Sequence, residues 1–219
     1  MPLRCVTTIL ILLIAGEGLV ATSAAATRID LGPVLLLNRS SFSGDKPVNS
    51  SYAPQMKFGA GGVFDFYVKD HVAISLQPMY LQKGSDLVFK EKGEEVYRLS
   101  IDISYLSLPL ILKVTGTSPS HLYVSGGFEF NFLLESTIVD SLQTRDSLDG
   151  IDSFEGAALF GVGGMLALGN NYLFCEGRYS QGLGDIFLKE KKEDLTVSIK
   201  TTGLMLMAGF LFRLGGGEP

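Results

Sequence analysis

One alternating run, His121 to Leu134 (HLYVSGGFEFNFLL), constrains this chain more than any other stretch. One parity carries Leu122, Val124, Gly126, Phe128, Phe130, Phe132 and Leu134. The other carries Tyr123, Ser125, Gly127, Glu129 and Asn131, with Leu133 at its end. Successive side chains of a strand point to opposite faces, so the segment has one apolar face and one mostly polar face. It is long enough for a tilted strand to cross a bilayer, which takes about 9–11 residues. A soluble sandwich strand alternates too, so the rest of the chain has to decide.

The start, MPLRCVTTILILLIAGEGLVATSAAATRID, reads as an export signal. Arg4 supplies the positive end, Val6 to Ala15 the short apolar core, and Ala24-Ala25-Ala26 a small-residue cleavage site. Residues 1–26 are therefore expected to leave, and the mature chain to begin near Thr27. The apolar run is too short for a membrane helix, and Glu17 interrupts it. Cys5 leaves with the signal, so Cys175 is the sole mature thiol and no internal disulfide forms. Cys175 reads as a small apolar side chain on a strand face. No later segment reaches 18 apolar residues, so a mature chain resident in a membrane must be a barrel. A net charge of -5 and a pI near 5.1 argue against nucleic acid as a partner.

Eight strands can be placed: 28–38, 55–68, 72–83, 96–114, 121–134, 154–168, 172–183 and 195–213. Met56, Phe58, Phe64 and Phe66 oppose Lys57 and Asp65 in the second. The apolar residues of the fourth change parity between Tyr105 and Leu106, which calls for a bulge there. Pro109 has no N–H for the ladder and implies irregularity nearby. Faces of the Gly/Ala-rich sixth strand are left unassigned. Between strands, long polar segments (39–54, 85–95, 135–152, 185–194) alternate with short ones (Lys69-Asp70-His71, 116–120, 169–171). That alternation predicts an all-β, eight-stranded antiparallel up-and-down transmembrane barrel over residues 27–214, with a short tail at 215–219. A Greek-key sandwich has no reason to keep it.

In such a barrel Asp30, Lys57, Asp65, Lys83, Asp102, Lys113, Glu129, Glu176, Arg178 and Arg213 face inward. Phe58, Phe64, Phe66, Phe128, Phe130, Phe132, Phe210 and Phe212 face lipid. Eight strands leave a lumen just wide enough for side chains, so the inward charges are expected to pair into a structural network. Nothing points to catalysis: the only histidines, His71 and His121, fall at short turns, away from the long-loop end. Gly161, Gly163 and Gly164 in FGVGGM lack the βαβ unit of a dinucleotide site and suit close strand approach instead. Metal ligands with usable spacing are lacking, and no cofactor is expected.

Three segments carry a family resemblance: MYLQKGSD (79–86), YLSLPLILKV (105–114) and GRYSQGLGDI (177–186). In this order and spacing they resemble the PorT-like outer-membrane β-barrel proteins. The resemblance implies a Gram-negative outer-membrane location and no assigned activity. Gly209-x-x-Phe212-x-Leu214 resembles an insertion signal for the barrel-assembly machinery, although Met207 stands where a polar residue is usual and a Gly-rich tail follows.

The expected protein is thus a non-enzymatic outer-membrane barrel acting through its external loops, or as a structural, assembly or secretion-associated component. Its partners would be outer-membrane lipid, the assembly machinery and an unidentified surface protein. Two alternatives stand beside it: a secreted lipocalin-like barrel holding a small apolar ligand, and an outer-membrane hydrolase. The first requires the opposite facing, with apolar side chains inside.

Overall fold

A computed structural model describes residues 28–91, 94–116, 121–140, 145–147, 150–186 and 198–214. Its strands are β1 (Ile29–Gly44), β2 (Ser50–Lys69), β3 (Val72–Leu76), β4 (Met79–Glu91) and β5 (Glu94–Thr115). They continue with β6 (Leu122–Val139), β7 (Arg145–Ser147), β8 (Phe154–Leu168), β9 (Asn171–Gly182) and β10 (Ile199–Leu214). All pairings are antiparallel, and β1 pairs with β10 from Ile29↔Leu214 to Gly44↔Ile199, which closes the sheet. β3 and β4 both lie between β2 and β5, so they are two halves of one stave. β7 pairs only the far end of β6. The result is a ring of eight staves.

The stave is divided at Gln77-Pro78, where Pro78 cannot donate to the ladder. Gln77 N–H donates to the Pro109 carbonyl at 3.0 Å, and Gly62 N–H to the Pro78 carbonyl at 3.0 Å. The irregularity expected around Pro109 therefore falls on the neighbouring stave, while β5 runs through it unbroken.

At one end the connections are tight: Asp70-His71 and Gly169-Asn170, with Gly169 at φ 64°. At the other end the strands outrun the expected boundaries. Arg39 to Gly44 continues the ladder with β10, and Ser50 to Pro54 pairs with Phe89 to Ser85. β4 and β5 remain paired out to Glu91↔Glu94. The segments 39–54 and 85–95, expected as loops, are thus largely projecting hairpin. Backbone pairing continues there after the one-sided apolar pattern has stopped, and sequence periodicity reports only the pattern.

The parity change expected in β5 does not occur. Ile101, Ile103, Tyr105, Ser107, Ile111 and Lys113 all point inward, and Leu106, Leu110 and Leu112 outward. The register irregularity sits on β6, where Ser104 pairs with Glu135 and Tyr105 with Leu133, leaving Leu134 as the extra residue. Ile101, Ile103 and Tyr105 are apolar because they fill the inside of the projecting end.

Two apolar clusters occupy the interior. One gathers Val34, Leu36, Val63, Leu81, Phe174 and Met207, among others, from most of the ring. The second, at the long-hairpin end, joins Phe42, Ile101, Ile103 and Tyr105 to Ile151 and Ile186. Backbone bonds from Asp152 N–H to Ile186 O (2.8 Å) and from Ile186 N–H to Ile199 O (2.9 Å) hold those two isoleucines over the opening. The outer wall is the reverse of a soluble protein's. Leu35, Phe58, Phe128, Phe160, Val162 and Leu206 are all more than half exposed on it. A continuous apolar exterior of this extent needs a bilayer against it.

Candidate functional site in the barrel interior

The inward parities place three layers of charge. Nearest the short-turn end, Arg28 donates to Asp30, which is fully buried, and Arg213 Nε lies 3.9 Å from the same carboxylate. The Arg28 guanidinium stacks 3.9 Å from the Tyr67 ring centroid, and Arg213 lies 5.0 Å from that of Tyr172 and donates to its hydroxyl. His71 and His121 line the same mouth, an opening of about 250 Å³. Both histidines are on the short-turn end, as the sequence placed them.

In the middle layer Lys113 Nζ donates to both Asp65 oxygens at 3.0 and 2.9 Å. Glu176 accepts from Arg178 Nε (2.8 Å), Ser125 Oγ (2.7 Å) and the Tyr123 hydroxyl (2.9 Å). Arg178 continues to Gln77 Oε1 at 2.9 Å. Gly161 and Gly163 make this possible. A Cβ at Gly161 would sit 2.4 Å from Glu176 Oε1, and one at Gly163 2.4 Å from the Tyr123 ring. These glycines give room to the charge layer.

The third layer is Lys83, whose ammonium reaches Glu129 Oε1 at 2.9 Å and Glu155 Oε2 at 3.2 Å. Asn131 Nδ2 donates to Glu129 at 2.6 Å, and Thr201 Oγ1 donates to Glu155. Glu155 is the member that sequence reasoning missed, because both parities of β8 are small or apolar. It is the only charged residue in that strand, and this was the available signal.

Lys57 and Asp102 pair with each other, apart from the three layers. Asp102 lies on the outward alternation of β5, beside inward Ile101 and Ile103, and accepts from Lys57 Nζ at 2.6 Å. Their side chains are 19% and 33% exposed. Lys57 keeps the alternation of β2, half-buried between exposed Met56 and Phe58 and opposite buried Asn38, and the β2–β4 register shifts beside it between Pro54 and Gly59. Of the phenylalanines, Phe58, Phe66, Phe128, Phe130, Phe132 and Phe212 are exposed on the outer wall, while Phe64 and Phe210 are half-buried there.

Beyond the wall, on the projecting β4–β5 hairpin, Asp86 accepts from Ser100 (2.7 Å), Arg98 (3.0 Å) and Gln55. Arg98 also donates to Glu95 at 2.8 and 3.0 Å, and these bonds hold the Glu95 carboxyl below its ordinary range. No group of three or more His, Cys, Asp or Glu suited to a metal ion occurs among the described residues. The interior is chemically a packing: cations are matched to carboxylates or to ring faces, and apolar clusters lie between.

Charge inside, an apolar exterior and a closed antiparallel ring define an integral membrane β-barrel. The pattern of the outer membrane protein β-barrel domain matches residues 25–188, and the chain belongs to that family, whose place is the outer membrane. Similar solved barrels include OprG from Pseudomonas aeruginosa, at 13% identity and a TM-score of 0.48, covering 86% of this chain and 96% of that one. AlkL, at 13% identity and 0.47, covers 93% and 99%. Ail from Yersinia pestis, at 13% identity and 0.43, covers 84% and 98%. No curated protein matches the chain in sequence.

Proposed function

We propose that this protein is a closed, non-enzymatic outer-membrane barrel whose activity resides in the hairpins and loops of its projecting end. The observation that carries the reading is the occupied interior. Its charged side chains are bonded to one another, and Ile151 and Ile186 seal the projecting end. A transport path has little room there, whereas the β4–β5 hairpin stands beyond the apolar wall with its polar contacts preformed. The projecting end faces the cell exterior, because short turns and both chain ends belong on the periplasmic side of such barrels. Membership of the PorT-like group is supported by the segments at 79–86, 105–114 and 177–186. Signal cleavage near Ala26/Thr27, which lies outside the described residues, delivers the chain. The terminal strand β10, carrying Gly209, Phe212 and Leu214, engages the assembly machinery and then closes the ring on β1. Outer-membrane lipid covers the phenylalanine rows.

The outward facing of the apolar residues supports this reading over a lipocalin-like carrier. The placement of both histidines at the short-turn mouth, with Arg and Tyr as neighbours, supports it over a hydrolase. The test is complementation of a deletion strain for its envelope phenotype. One variant replaces the Lys90–Glu95 tip with Asn-Gly; a second, Glu91→Gln, retains the hairpin. Loss of rescue by the first alone, with both proteins folded by heat-modifiable migration, is the expected result. Full rescue by the tip-less barrel would overturn the proposal.

A further inference from the structure

We infer that the outer wall carries a binding site for a phosphorylated lipid of the exterior leaflet, its phosphate at Arg39 and one acyl chain in a groove down β1. The inference rests on the orientation proposed above. The outward residues of β1 read Leu35, Leu37, Arg39, Ser41 and Ser43 toward the projecting end, so the wall turns from apolar to polar at Arg39.

Below Arg39 lies a groove of about 520 Å³. Its floor comes from residue size. Leu35 is flanked by Ala208 on β10 and Ala60 on β2, and Cys175 lies beside Ala208. One rung outward, Leu37 is flanked by Leu206 and Phe58, and these larger side chains form the walls. The next rung is Leu204, Arg39 and Met56. Arg39 is therefore one strand repeat, roughly 6.8 Å, beyond Leu37 and in line with the groove.

The guanidinium is uncommitted. Arg39 is exposed and has no hydrogen bond or ion pair among the described residues. The cation on the neighbouring strand β2, Lys57, is already held by Asp102 at 2.6 Å. A planar donor fork presented at the membrane surface suits phosphate oxygens, which accept from arginine in pairs. An apolar furrow ending at an unpaired arginine is complementary to an acyl chain that ends in an anionic head. A zwitterionic lipid fills the furrow but gains less at Arg39.

Native mass spectrometry of the refolded barrel in detergent tests this without reference to orientation. The probes are diphosphoryl lipid A, phosphatidylglycerol and phosphatidylcholine. The expected result is retention of lipid A over both phospholipids. Arg39→Gln should weaken lipid A about fivefold, the worth of one interfacial cation. Arg39→Lys should keep most of the binding, and Ala208→Phe should reduce it by filling the floor. Heat-modifiable migration checks that each variant is folded, and Arg39→Gln suffices if Ala208→Phe is not. Equal retention of phosphatidylcholine, or of lipid A by Arg39→Gln, would reduce the site to ordinary boundary lipid and overturn the inference. Phosphatidylglycerol retained as tightly as lipid A would overturn the choice of lipid A as the occupant. Either failure leaves the hairpin complementation result untouched, so the two readings fall separately.

Discussion

Lys83 sits where two buried carboxylates, Glu129 and Glu155, converge on one ammonium. Removing a partner from such a set leaves charge uncompensated in a low-dielectric interior, so Lys83→Met should destabilise the barrel by about 3–5 kcal/mol. Equilibrium refolding in urea with lipid measures it. Adding Glu129→Gln and Glu155→Gln to Lys83→Met should recover part of the loss, because the stranded charges go with the lysine. A triple variant less stable than the single one would mean that charge pairing is not what holds the layer together. On the outer wall the cost has another origin. Phe130→Arg sets a cation against lipid and should cost about 2–4 kcal/mol near the midplane. Arg tolerated at Phe130 without loss would invert the facing of β6. A third residue tests backbone proximity. A Cβ at Gly127 would lie 2.1 Å from the Leu110 carbonyl oxygen, whereas one at Gly156 meets only the Phe154 ring at 4.0 Å. Gly127→Ala should therefore cost at least the ~1–3 kcal/mol typical of overpacking, and Gly156→Ala far less. Similar refolding midpoints for the two would contradict the close approach of β5 and β6.

At the scale of the elements, the two ends of the barrel should differ in access. Lys46 and Lys90 are exposed at the projecting end, and Lys69 is exposed at a short turn. Trypsin added to intact cells should cut at Lys46, at Lys90 or elsewhere in the long segments, and spare Lys69, which permeabilised cells expose. Cutting at Lys69 in unbroken cells would reverse the topology. The same elements show what the sequence could convey. Strands inside the membrane were legible because lipid and lumen demand opposite chemistry from adjacent residues: β8 was placed at its observed bounds, and the Phe128 to Phe132 row on its observed face. Hairpin extensions were not legible, because water on the outside relaxes that demand while the hydrogen-bond ladder continues. β5 misled for a related reason. Its inward positions turn from polar (Ser107, Lys113) to apolar (Ile101, Ile103, Tyr105) where the lumen becomes a plug, and this imitates a change of face. By the same imitation Asp102 reads as inward in the sequence. Glu155 was overlooked because small residues on both parities of β8 hide which side is which.

For the whole molecule, eight staves and a filled interior set a limit on conduction. The lumen of an eight-stranded barrel has width for side chains and little else. Here Arg178, Tyr105, Phe174 and Met207 are each at most 2% exposed within it. An ion crossing from the short-turn mouth would first pass Arg28, Arg213 and the tyrosines that stack on them. It would next meet the Asp65–Lys113 and Glu176–Arg178 pairs, then the Lys83 cluster, and finally the apolar plug of Phe42, Ile101, Ile151 and Ile186. Opening one charge layer strands its partner charges, at a cost of several kcal/mol, and the next layer still blocks the way. Planar-bilayer recordings of the refolded protein should accordingly show no steady conductance of porin size. Replacing Ile151 and Ile186 by alanine should not create one, because the charge layers below the plug remain. Steady current in the wild-type protein, or its appearance on removal of the plug alone, would mean that the layers part readily and that the interior is a path.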